Sequence, residues 1–241
     1  MRLYELFLIE TTEEDRAIIS LSSSISEYLL QYRKLSGDQL TDVGTIGELF
    51  KTPLNILDPI TIELESQDRI RRRIEQEYPD DVKSDSDNEL AGLWYADSKT
   101  IVLDRANIGT SVMSSIVTHE LRHALDDFKS EFKASSSNSY TKPKQKIHRK
   151  TPDDLYMAQP IEINARFLQA LNAIVEVITN SRRKGLTKEQ TKDSAMHELG
   201  RAFSHYDIGE FFPNKQQSDD YKRLVKRAVD FVDKEIAHQI K

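Results

Sequence analysis

The chain has 241 residues, a formal net charge of −6 at pH 7, 31% charged and 38% hydrophobic residues, and no cysteine. That is enough chain for one domain with a real core, and without cysteine any metal must be held by His and carboxylates. The acidic balance argues against a nucleic-acid binder, no apolar run nears the roughly 18–20 residues of a membrane helix, and the lack of cysteine leads to an expected cytoplasmic setting.

Three regions are expected to form one compact unit: an N-terminal helical region (1–58), a core (59–180) and C-terminal helices (181–241). The opening "MRLYELFLIE" reads as a first strand or helix, because acidic residues follow it and no small-residue cleavage site is visible. Residues 12 to 34 place Ile18, Ile19, Leu21, Ile25, Leu29 and Leu30 at helical spacing. A second, short helix is predicted from Asp38 to Phe50, ending before Pro53. "ITIEL" (Ile60 to Leu64) alternates like a half-buried strand. "DRIRRRIEQEY" reads as a charged helix and "PDDVKSDSDNE" as an acidic loop.

"GLWYADSKTIVLDR" reads as a hairpin turning at Asp97-Ser98. Helices are predicted over about Ser111–Phe128, Pro160–Thr179, Thr187–Ser204 and Ser218–Ile240. A polar segment from Lys129 to Asp154 joins the first two. Its basic run "KPKQKIHRK" (Lys142 to Lys150) has no interleaved aromatics, so it reads as a solvated loop near the cleft and not as a nucleic-acid site.

The chemistry concentrates in "VTHELRHALDD" (Val117 to Asp127). On a helix, His119 and His123 lie about 40° apart and one turn along the axis, so both imidazoles can bind one metal ion. Glu120 lies nearby without being a ligand. Met113, Val117, Leu121, Ala124 and Phe128 form an apolar stripe that the histidines flank. An ordinary amphipathic helix with two unrelated histidines satisfies the same pattern, so a third ligand is needed. A His six residues past the second is excluded, because Lys129 stands there. "YMAQPIEINARFLQAL" offers Glu162 in the first turn of the next helix, 39 residues (162 − 123) beyond His123.

Here the sequence resembles the gluzincin metallopeptidases, in which H-E-x-x-H is followed by a helix-borne Glu. It is similar to small gluzincin-type domains carrying Tyr-x-x-x-Pro-x-Glu-Ile-x-Ala-Arg, matched by Tyr156, Pro160, Glu162, Ile163, Ala165 and Arg166 over a likeness spanning about residues 92–180. The resemblance implies an α+β, mostly helical, zincin-like fold with a small antiparallel-containing sheet beside the metal helix. It implies Zn2+ held by His119, His123 and Glu162, with Glu120 as the general base of peptide-bond hydrolysis in a protein or peptide substrate. It also implies an edge strand just before the metal helix, here "TIVLD", that pairs with extended substrate.

Tyr156, His205 and Tyr206 are candidate oxyanion donors. Asp126 and Asp127 are candidates to brace a ligand imidazole, and Arg166 to pair with Glu162 or Asp126. The competing expectation is a binding or structural protein of the same fold without turnover, although an intact Glu120 speaks for activity. The opening "MRLYELF" is similar to the starts of tailed-bacteriophage proteins, which points to a viral source and, if the chain is phage-encoded, to the host cytoplasm or the virion as its setting. Neither the specificity nor the oligomeric state is legible.

Overall fold

The computed structural model describes residues 12–36, 42–77, 91–129, 160–210, 212 and 218–239. The opening "MRLYELF", the acidic loop, the basic run Lys142 to Lys150 and Tyr156 all lie outside the described residues. In chain order the elements are α1 (Thr12–Ser36), β1 (Asp42–Thr45), α2 (Ile46–Leu49), β2 (Thr61–Glu65), α3 (Gln67–Glu77), β3 (Gly92–Tyr95), β4 (Thr100–Asp104), α4 (Met113–Lys129), α5 (Pro160–Arg183), α6 (Lys188–His205) and α7 (Asp219–Gln239). The fold is α+β and mostly helical, with one small mixed sheet.

The long helices form where apolar spacing and terminal charge agree. Helix α1 opens on Glu13, Glu14 and Asp15 and closes on Arg33 and Lys34, complementing the helix dipole. Its serine run survives because Ser22, Ser23, Ser24 and Ser26 each donate to the carbonyl four residues back. Helix α5 stops where Gly185 takes φ of 71° and Leu186 N–H reaches back to Ser181 O at 3.1 Å. Thr187 then caps α6 in a capping box with Gln190.

The sheet runs β1-β2-β4-β3, with β2 and β4 parallel and both outer pairs antiparallel. Two expectations are corrected here. Residues 42–45, predicted as part of a helix from Asp38 to Phe50, form β1, and only the single turn Ile46–Leu49 is helical. The "TIVLD" segment is not an edge strand. As β4 it is paired on both sides, and among the described residues the sheet edge nearest the helix Met113–Lys129 is β3. The cause is visible in its burial. All five residues of β4 are buried, with Ile101 and Leu103 facing the main core and Val102 facing a small cluster with Ile70 and Tyr95. A strand covered on both faces belongs inside a sheet.

One core cluster collects Ile18, Ile25 and Leu29 from α1, Ile101 and Leu103 from β4, Val117 and Leu121 from α4, Phe167 and Leu171 from α5, and Leu224 and Phe231 from α7. Helix α4 lies at its centre, packed against α1, α5 and β3. Twelve of its side chains are buried, including the polar Glu120, Arg122, His123, Asp126 and Asp127. Among the described residues, no helix is long and apolar enough to cross a membrane.

Candidate metal centre

Helix α4 carries His119 and His123 on one face, and the first turn of α5 brings Glu162 against them. The two Nε2 atoms are 2.9 Å apart, His123 Nε2 lies 3.1 Å from Glu162 Oε1, and His119 Nε2 lies 3.6 Å from Glu162 Oε2. Atoms bound tetrahedrally to one zinc ion at its usual bond lengths stand roughly 3.3 Å apart. The three separations bracket that value, so this His, His, Glu group could hold a metal ion with only small side-chain adjustments. Glu162 and His123 are buried, while His119 is partly exposed and marks the open side.

The electrostatics match a site built for a cation. Burial alone would lower the pKa of His123, but contact with the Glu162 carboxylate, aided by Glu120 and Asp126, raises it to about 9. Burial and the neighbouring His123 instead push His119 down to about 4. His123 is thus the more basic of the two imidazoles, and it is the one that lies against the Glu162 carboxylate. Burial raises Glu120 to about 7, with His123 and the Trp94 backbone N–H pulling the other way.

Strand β3 brings Trp94 to this helix twice. Its main-chain N–H donates to the Glu120 carboxylate, and its indole Nε1–H donates to Asp127 Oδ2 at 2.7 Å. Gly92 permits the approach, since a Cβ there would stand 2.7 Å from Ile116 Cγ2 and 3.3 Å from Glu120 Cγ.

No protein-family model matches this chain, and neither does any curated protein or solved structure. The site's meaning therefore rests on its own geometry.

The bracing role expected of Asp126 or Asp127 is corrected. Asp127 accepts the Trp94 indole, Asp126 accepts from Arg122 Nη2 at 2.7 Å, and His123 Nδ1 is buried without a hydrogen-bond partner among the described residues. The charge of Asp126 helps to raise the pKa of His123. The side-chain contact to a candidate-ligand imidazole comes instead at His119 and from Gln169 of α5, whose Oε1 lies 3.2 Å from His119 Nδ1.

Arg166 lies 4.0 Å from Glu162 and donates to the Tyr206 carbonyl at 3.2 Å. The Tyr206 hydroxyl meets Ser115 Oγ at 3.0 Å, and burial raises its pKa. His205 is exposed and rests against the Tyr206 ring.

Residue type carried no signal for the residues missed, and their spacing takes on meaning only once the facing of α4 and α5 is known. Gln169 follows Glu162 by two helical turns, and Ser115 precedes His119 by one, so each shares a face with a candidate ligand.

Proposed function

We propose that this chain is a zinc-dependent peptide hydrolase of the gluzincin type, with His119, His123 and Glu162 as zinc ligands and Glu120 as general base. The observation that carries the reading is the convergence of three ligand atoms, all within 4.8 Å of one another, in the chemistry zinc prefers. When bound, zinc supplies a Lewis acid that polarises a carbonyl and acidifies water.

The chain's own residues supply the rest. Glu120, ionised, accepts a proton from the attacking water and returns it to the leaving amine. A pKa of about 7 suits a group that must do both near neutrality. The Trp94 N–H holds the carboxylate in place between those two transfers. Strand β3 offers an extended backbone beside Glu120, where a substrate strand can be aligned with the reacting centre.

The test uses full-length protein reconstituted with Zn2+ and a proteome-derived peptide library read by mass spectrometry. Glu120→Gln should keep the metal and the fold, because the amide is nearly isosteric, and should lose about 10²–10⁴-fold in cleavage rate. His119→Ala should lose the metal. Zinc bound elsewhere, or hydrolysis by Glu120→Gln at the wild-type rate, would refute the assignment. A zinc-loaded wild type that cuts nothing would leave a binding or structural protein.

A further inference from the structure

The side chain that brackets His119 from behind is more constrained than a single hydrogen bond requires. Gln169 makes three contacts. Its Nε2 donates to the Ser115 main-chain carbonyl at 3.3 Å and to Ser115 Oγ at 3.1 Å, and its Oε1 faces His119 Nδ1 at 3.2 Å. A backbone carbonyl can only accept, so it fixes which end of the amide is NH2. With the NH2 end committed to Ser115, the oxygen must be the end that meets His119. An amide oxygen can only accept, so Nδ1 must carry the imidazole proton. The Nε2 lone pair is then left pointing at His123 and Glu162, at 2.9 and 3.6 Å.

We infer that Gln169 is the positioning residue of this centre, setting the tautomer and ring orientation of His119 so that its Nε2 is presented to a metal ion. The inference rests on the proposed metal site. Ser115 is the anchor of the device. It stands one turn before His119 on the same helix, so the group that orients Gln169 and the group that Gln169 orients move as one rigid piece. Tyr206 closes the far end, its hydroxyl 3.0 Å from Ser115 Oγ. Helix α5 therefore contributes twice to the centre from one face: Glu162 as ligand and, two turns on, Gln169 as support. His123 has no equivalent, since its Nδ1 finds no hydrogen-bond partner among the described residues and its orientation follows from packing and from Glu162.

The test compares the full-length wild type with Gln169→Leu and Gln169→Glu by two readouts. Zn2+ affinity is measured by chelator competition. The His119 tautomer is read in the metal-free protein from long-range proton–nitrogen NMR spectra with labelled histidine. Gln169→Leu keeps the volume but offers no acceptor. It should weaken zinc 10–100-fold, the usual consequence of losing such a support, and should free His119 to place its proton on Nε2. Gln169→Glu keeps an oxygen acceptor for Nδ1 but loses the donation to the Ser115 carbonyl, so it should keep the Nδ1–H tautomer and recover part of the affinity lost in Gln169→Leu. A merely structural Gln169 would lower thermal stability without moving either readout.

Wild-type affinity and tautomer in Gln169→Leu would overturn the inference. If that variant does not fold, Gln169→Glu decides, and a glutamate variant with His119 protonated on Nε2 would overturn it as well. Zinc binding lost in His119→Ala but unchanged in Gln169→Leu would sink this inference and leave the metal site standing. A wild type that takes up no zinc would overturn both.

Discussion

The Trp94 indole donates to Asp127 at 2.7 Å, tying edge strand β3 to the helix that bears both histidines. Both groups are buried, Trp94 at 9% exposure and Asp127 at 0%. Hydrogen bonds to charged groups contribute about 1.5–3 kcal/mol net. Trp94→Phe keeps most of the aromatic packing against Phe128 and should lose about that amount, measured by urea denaturation. Zinc stoichiometry should not change, because no ligand contact is removed.

Gly92 and Gly200 should respond to alanine in opposite directions. At Gly92 a Cβ meets Ile116 Cγ2 at 2.7 Å and Leu103 Cδ2 at 3.3 Å, atoms fixed in the core. Overpacking of this kind costs about 1–3 kcal/mol, and pushing β3 away should also loosen the Trp94 hold on Glu120. Gly200 is exposed within α6 with nothing inside 4 Å of its Cβ position. Gly200→Ala should stabilise by about 0.5–1 kcal/mol through helix propensity. Equal effects of the two substitutions would contradict the packing described here.

A buried ionic chain links three helices behind the candidate site. Asp15 of α1 accepts two 2.6 Å contacts from Arg227 Nη2 of α7 and lies 3.9 Å from Arg122 of α4, which in turn donates to Asp126. Removing one partner of a buried pair leaves a charge without its counter-ion, at a cost of about 3–5 kcal/mol. Asp15→Ala should show that loss in chemical denaturation. The same substitution at Asp219, exposed on α7 and 3.7 Å from Lys222, should be nearly silent.

The helices were legible because their apolar residues recur at helical spacing and because capping residues such as Thr187 mark their starts. The strand at Asp42–Thr45 was not. Its four residues include only one sizeable apolar side chain, Val43, and become a strand by pairing with β2, a non-local event that local pattern cannot announce. The place of β4 was legible but misread. An unbroken "IVL" run signals burial on both faces, hence a central strand, while the glycine of "GLWY" fits the neighbour that must approach a helix closely. In the candidate site, His119, His123 and Glu162 announced themselves by residue type and spacing. Gln169 and Ser115 did not, since their part depends on which faces of α4 and α5 meet, and amides and hydroxyls are common on any helix.

The metal-free electrostatics give a signed pH dependence for metal binding. A metal ion needs the His123 lone pair, and His123 holds its proton up to about pH 9. His119, lowered to about 4, is already neutral across the working range and has nothing to release. Between these values each ion bound should therefore expel about one proton from the coupled His119, His123 and Glu162 group, and zinc affinity should rise with pH by up to tenfold per unit before flattening near 9. Below about pH 7 Glu120 is also protonated in the metal-free state. A dication in the same cavity favours its carboxylate, so a second, partial release should steepen the dependence there. Titration calorimetry at pH 8 in buffers of different ionisation enthalpy reads the proton count directly. About one proton per zinc is expected from the ligand group, with a second to the extent that the zinc-bound water ionises at this pH. A wild-type affinity that is flat between pH 7 and 8.5, or that falls as pH rises, would show that the proton shared by His123 and Glu162 does not occupy the place of the metal.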